Sequence, residues 1–323
     1  MFAVDTSRDP ARGAAVRSSK GLGPGGSSRV RARARRSRAG AALVEFALIA
    51  FAFYLLLAGT IEVGRMVFSL QALQNAARVG SRELAQLELP ATYTFEQALR
   101  DPQVRETVFD PGLLVLDVSS MDDVTFQQRI DNFPTVNRML VPLMLRERLD
   151  LGSGEREYFH YPGAILRVLN PGPFDPPYTV AIPRVLSRDD SGTETIDWIP
   201  VVEEVRPSTD PAEAPFSMIS TGRHRGLVCL RVNYPFQAAT LSAYRTDESS
   251  GVLVNTPMEA NDGGVVDSSG PPPGTTLASA SGGVNTYSGP YGLGRQFALG
   301  KEVRPFRRIL SGQSMFRREA FSR

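Results

Sequence analysis

A chain of 323 residues, 42% of them apolar, is long enough for one or two domains with an ample core, which excludes a peptide or a disordered tail as the whole molecule. The net charge of +2 conceals two unlike parts: residues 1–40 carry nine Arg and Lys20 against Asp5 and Asp9, a net of +8, so the remaining 26 basic and 32 acidic residues net −6. The single cysteine, Cys229, excludes an intrachain disulfide and, set between Val228 and Leu230, reads as a small core residue.

Residues 1–40 are rich in Arg, Ala, Gly and Ser and lack aliphatic periodicity, so they form a basic leader or cytoplasmic tail rather than a packed fold. A basic arm can serve nucleic acid, but its position directly before an apolar run favours a membrane role and argues against nucleic acid. From Phe46 to Ile61 the string FALIAFAFYLLLAGTI has no charge, and with residues 41–44 it reaches the ~20 residues that a spanning helix needs. Arg31, Arg33, Arg35, Arg36 and Arg38 keep the N-terminal side in the cytoplasm, which puts the rest of the chain outside. A cleaved secretory signal shares these marks, although no clean A-x-A site follows.

No proline occurs between Pro24 and Pro90, so the helix is expected to run over about 41–87, roughly 70 Å at 1.5 Å per residue. In its outer half Met66, Leu70, Leu73, Ala77, Gly80, Leu84 and Leu87 recur at spacings of four and three, a heptad stripe. Such a stripe serves either an intermolecular coiled coil or packing on the chain's own ectodomain. Beyond it, LLVLDV from Leu113, AILRVL from Ala164, YTVAIPRVL from Tyr178 and LVCLRVNY from Leu227 read as strands, and residues 136–149 as a helix interrupted at Pro142. Asp122 and Asp123 mark a helix start. The domain plan is therefore a leader (1–40), a membrane-spanning helix continuing as an amphipathic one (41–88), an ectodomain (89–245) expected to fold from about Pro90 on its own, a Gly/Ser/Pro-rich loop or linker (246–290) and a basic C-terminal segment (291–323). That last segment, with eight Lys and Arg against Glu302 and Glu319, reads as a solvated tail, as an arm satisfying the acidic body, or as a docking surface for an acidic partner or lipid headgroups. The fold class is α+β: a long N-terminal transmembrane helix, pilin-like, followed by a strand-rich and loop-rich ectodomain.

The most informative string is RRSRAGAALVEFAL, residues 35–48. Gly40 supplies a flexible backbone without a side chain just before the apolar run, as a cut site needs. Cleavage after it would leave Ala41 with a cationic α-amino group. A carboxylate at the edge of hydrocarbon costs at least ~2.5 kcal/mol, so Glu45 calls for a partner such as that amine on an adjacent subunit, or a place in the headgroup zone beside an arginine. Gly40, Glu45 and Phe46 are similar to the motif cut by prepilin peptidases. The neighbouring AALVEFALIAFAFYLLLAGTIEVGR and LQNAARVGSREL resemble the TadE-like family of the Tad (Flp) pilus machinery, with looser matches at YPGAILRVL, VNYPFQAATLSAY and VRPFRRILSGQSMFRREAF. The resemblance implies a minor pseudopilin or assembly component in the bacterial inner membrane, processed after Gly40. Its implied partners are other pilins and the peptidase, and the assembly helix carries Leu70, Leu73, Ala77, Gly80 and Leu84. A single-pass envelope anchor with a ligand- or surface-binding ectodomain is the alternative.

Enzymatic chemistry is not expected. His160 and His224 stand in unrelated strings without further ligands at zinc spacing, and no P-loop, dinucleotide or nucleophile-elbow motif occurs. GLGPGG at 21–26 is a flexible leader string, and Asp189, Asp190, Glu194 and Asp197 read as a solvated turn rather than a calcium loop. Trp198 and Ile199 read as a core anchor. No cofactor or metal is implied.

Overall fold

A computed structural model describes residues 28–151, 154–188, 194–207, 209–237, 245–246, 253–254, 274–277, 296–298, 301–303, 307–319 and 321–322. The leader up to residue 27, with its Gly-rich string, and residues 189–193 of the acidic turn lie outside the described residues, as does most of the 246–290 segment.

One helix, Ser28–Gln86, begins well before the expected start near Ala41. The Arg and Ala that fill residues 29–39 are strong helix formers, so nothing in the sequence stops the helix at the edge of the apolar run. The chain divides into two compact units, Met1–Leu57 and Ala58–Arg323. In the first, the helix exposes its apolar residues on every side: Leu43, Phe46, Ile49, Phe53 and Leu56 are each at least 65% exposed. Such a surface is incompatible with water and fits lipid, and by length and composition the stretch is able to cross a membrane.

The second unit folds the outer part of the same helix together with three principal sheets. The helix-facing sheet pairs Arg307–Arg317 with Leu227–Gln237 over eleven antiparallel residues and adds Val202–Glu204 on the far side. A four-stranded antiparallel sheet has the order Thr275–Leu277, Ala164–Val168, Tyr178–Arg188, Glu194–Pro200. A third sheet sets Glu155–His160 between Val115–Asp117 and Leu145–Asp150. Several short helices complete the unit, most of them started by a side-chain cap, although Thr135–Leu140 follows Pro134 without one. Thr94 and Gln97 form a capping box, and the Asp122 carboxylate accepts the Thr125 amide at 2.8 Å, as the paired aspartates announced. Trp198 packs on Ala164, Leu166 and Ala181, a small cluster of its own.

Three expectations are corrected. Residues 136–149 are not one interrupted helix: Thr135–Leu140 is helical, Val141–Leu143 turns at Pro142, and Leu145–Asp150 is a strand. Proline ends the helix, after which Leu145, Glu147 and Leu149 alternate inward against exposed Arg146 and Arg148, the strand period. The strand expected from Leu113 starts at Val115, because Asp110, which accepts the Gly112 amide at 2.9 Å, sets up a single 3₁₀ turn over Pro111–Leu114. The basic C-terminal segment is no solvated tail, since its Arg307–Arg317 stretch is built into the helix-facing sheet. Its inward positions, Leu310, Gly312, Ser314 and Phe316, include two residues too small to advertise a strand.

The main core gathers Leu73, Ala76, Ala77, Leu84 and Ala85 of the helix with Phe95, Val136, Leu140, Val228, Leu230, Val232 and Leu310. Removal of the helix would expose the partners of these five buried residues, at roughly 25 cal/mol per Å² of apolar surface. The ectodomain expected from Pro90 onward therefore shares its core with the helix. A fragment starting at Pro90 is expected to show no cooperative melt in circular dichroism, and one starting at Arg65 to melt cooperatively; equal, sharp melts of both would contradict this packing.

Candidate assembly helix and its seat

Gly40, Ala41, Glu45 and Phe46 all lie within the long helix. Residues 41 and 45 are one turn apart on the same face, separated by about 6 Å of rise. Glu45 and Phe46 are exposed. The peptide bond between Gly40 and Ala41 is helical, and glycine there weakens the helix by about 1 kcal/mol relative to alanine.

Further along, the heptad stripe meets the chain's own ectodomain. Leu73, Ala77 and Leu84 are fully buried, and so is Gly80, whereas Leu70 remains 36% exposed. Small residues let the helix sink. A Cβ at Gly80 would stand 2.5 Å from Val136 Cγ2 and 3.7 Å from Leu230 Cδ1. A Cβ at Gly312 would stand 2.5 Å from the backbone nitrogen of Gln74 and 2.6 Å from the carbonyl oxygen of Leu73, so helix and strand touch backbone to backbone. Gln74 Nε2 adds a hydrogen bond to Gln313 O at 2.9 Å.

The same strand then tracks the helix to its end. The Arg65 guanidinium lies 5.7 Å from the Phe236 ring, and Phe236 pairs with Arg308; Leu73 meets Gly312; the Glu319 amide donates to Ala85 O at 2.9 Å. Helix and strand thus run in the same direction, level by level. At the far end Arg318, only 4% exposed, donates Nη2 to Leu89 O at 2.6 Å and stacks 4.7 Å over Phe216. Burial lowers its pKa, and carbonyl oxygens replace the water it has lost. Phe321 and Ser322 finish by pairing in parallel with Leu89 and Pro90.

On the opposite face of that sheet Asn233, 2% exposed, is fully engaged. Its Nδ2 reaches Pro200 O at 3.0 Å and Glu203 Oε1 at 2.9 Å, Ser311 donates to its Oδ1 at 2.7 Å, and Tyr161 OH donates to its backbone carbonyl at 3.0 Å. These contacts were not foreseen; the only trace in the sequence was the looser resemblance of the strings around residues 161, 232 and 303.

The structure thus packs Leu73, Ala77, Gly80 and Leu84 of the predicted stripe inside the chain's own core and leaves Leu70 on the open side of the helix. In the second unit Val63, Val67 and Leu70 follow one another at spacings of four and three and are all exposed, Val63 by 56% and Val67 by 44%. The ectodomain also has a groove of about 730 Å³ lined by Phe95, Leu99, Leu169, Phe174, Glu96 and Arg206, among others. Within it Arg206 pairs with Glu204 at 2.8 Å and with Glu96. Among the described residues no group of His, Cys, Asp and Glu could hold a metal. His160 is buried with Nδ1 3.0 Å from Tyr161 O and Nε2 3.5 Å from Glu147, and His224 is exposed.

Residues 40–82 match the model of a family described as TadE-like protein. The matched stretch opens at Gly40, covers the apolar helix and ends just past Gly80 and Ser81. No curated protein and no solved structure matches the chain. The match and the apolar helix together fit a component of a Tad-type pilus. Because a methyl group at Gly312 would collide with backbone rather than with a movable side chain, Gly312→Ala is expected to destabilise the fold by about 3 kcal/mol, at the upper end of overpacking costs. Thermal melts of the purified full chain in detergent measure it, and an unchanged midpoint would disprove the close contact.

Proposed function

We propose that the chain is a minor pseudopilin, or an assembly component, of a bacterial Tad (Flp)-type pilus, held in the inner membrane with its N-terminus cytoplasmic and its ectodomain outside. Prepilin peptidase cuts it after Gly40, and other pilins are its partners. The observation that carries this reading is the coincidence of three features at one point in the chain: the Gly40, Glu45 and Phe46 spacing, the start of the family match at residue 40, and the onset of an unburied apolar helix. The membrane-facing peptidase acts on a helical substrate, and Gly40 is where that helix most easily opens. The new amine of Ala41 then pairs with Glu45 of a neighbouring subunit in a low-dielectric setting, where loss of one partner costs ~3–5 kcal/mol. The apolar residues that the ectodomain leaves open beyond the hydrocarbon core, Val63 and Val67, are the face offered to neighbouring helices. Burial of Leu73, Ala77 and Leu84 in the chain's own core supports a second reading, a single-pass envelope anchor that never joins a fibre.

The mature chain is expected to begin at Ala41, as read by intact mass of protein from membranes. Bulky substitutions of Gly40 should block processing, whereas Glu45→Gln should spare insertion and processing yet reduce co-purification with other pilins at least tenfold. A start near Thr60 would mean an ordinary signal peptide, an unprocessed chain would favour the anchor, and Glu45→Gln protein that assembles like wild type would end the pairing hypothesis. Val67→Asp, on the open face, is expected to leave the melting midpoint within about 1 °C, as surface changes do, and to abolish that co-purification; undiminished co-purification would exclude this face.

A further inference from the structure

We infer that the free edge of the strand Arg307–Arg317 is a docking edge for an extended, acidic segment of a partner protein, which adds to the helix-facing sheet as a further strand. The inference stands on the second unit alone and does not depend on the membrane. The Arg318 amide donates to Gly226 O at 2.8 Å, so the even-numbered residues of this strand turn their backbone groups toward Leu227–Gln237 and the odd-numbered ones turn theirs away. Three further bonds agree. Gln313 O accepts from Gln74, and opposite Met315 and Ser311 the groups Cys229 O and Asn233 N serve Val205 and Val201 on the other side. The amides of Ser311, Gln313, Met315 and Arg317 therefore point off the sheet, and among the described residues none of them has an acceptor. Edges are normally guarded by charge, proline or a bulge. Leu145–Asp150, an edge of the third sheet, carries Arg146, Glu147 and Arg148. Residues 309–316 have neither charge nor proline, their register is unbroken, and Met315 is 61% exposed. What flanks this edge sets the charge of its occupant. Arg78 and Arg82 follow Gln74 at successive turns of the helix, ~6 and ~12 Å on, level with Met315 and Arg317 at ~7 and ~13 Å beyond Gln313. Arg78, Arg82 and Arg317 are exposed and enter no ion pair among the described residues. No acidic residue lies between Val63 and Arg82 of the helix or between Ile309 and Arg317 of the strand. A second copy fits worse: symmetric pairing about Gln313 meets the Gln74 side chain on its carbonyl, and pairing about Met315 brings two Arg78 side chains face to face.

The test uses the full chain in detergent and a short peptide of alternating threonine and glutamate, with counterparts in which glutamine or lysine replaces every glutamate. Amide exchange is read residue by residue. With the acidic peptide at about ten times its dissociation constant, exchange at Ser311, Gln313, Met315 and Arg317 should slow roughly tenfold, while Gly312, Ser314 and Phe316, already bonded in the ladder, stay unchanged. The glutamine peptide should bind roughly tenfold more weakly, and the lysine peptide should not protect the edge. Arg78→Gln combined with Arg82→Gln and Arg317→Gln should reduce the acidic peptide to the level of the glutamine one without moving the melting midpoint, since all three side chains are exposed. Met315→Pro, which removes an edge donor and no ladder bond, should abolish binding; if that variant does not fold, the triple variant decides. No protection by any peptide, protection that ignores the odd and even alternation, or equal binding of the three peptides would overturn the proposal. So would protection present before any peptide is added: protection that grows with chain concentration would make the occupant a second copy, and protection that does not would make it another part of the same chain.

Discussion

Where Leu73 and Gln74 meet Gly312, helix and strand approach with no side chain between them, and most of the ectodomain is arranged around that contact. Gly312 lets the strand come in, and Ala76, Ala77 and Gly80 let the helix settle among Val136, Leu140 and Leu230. Van der Waals attraction is short-ranged, so two backbones this close gain contacts that larger residues at these positions would forfeit. The cost is that every atom there has a fixed place. The helix-facing sheet must keep its register, and its outer face supplies that through Asn233, whose side chain and carbonyl tie three separate stretches of chain together.

A helix serving two solvents needs two kinds of surface. Its first part is apolar all round, because lipid wants no polar side. Its second part is apolar only where its own protein covers it, and carries Gln71, Asn75, Arg78 and Arg82 on the exposed side. Val63, Val67, Phe68 and Leu70 break that division by staying apolar and exposed beyond Glu62. They are the part of the helix surface that neither the bilayer core nor the ectodomain explains, which makes them the natural ground for a partner.

Local physics made the helix, its apolar run and several strands legible in the sequence. The capped helix at Asp122 and the alternating runs at Ala164, Tyr178 and Leu227 declare themselves within ten residues each. The Gly40 and Glu45 spacing was visible for the same reason. The heptad stripe was visible too, but periodicity says only that a face is covered and not by what. What covers it, Gly312 and the strand around it, lies more than 200 residues away and is built from small and charged residues without a recognisable period. Arg318 was misleading for a related reason: in a basic segment it reads as solvated, yet it is buried against Phe216, with its two terminal nitrogens donating to carbonyl groups that only the fold brings near.

The hydrogen bond from Gln74 to Gln313 joins residues 239 apart, which imposes an order in time. At ordinary synthesis speeds of ~5–20 residues per second, roughly 10–50 s separate emergence of the helix from emergence of the strand that completes its seat. Throughout that interval Leu73, Ala77 and Leu84 stand uncovered on the growing chain. Loop closure over so long a span is also slow. The newborn protein therefore passes through a period in which this helix is adhesive along the stripe that is later sealed, and a chaperone or a sister chain has its widest opportunity during synthesis rather than after it.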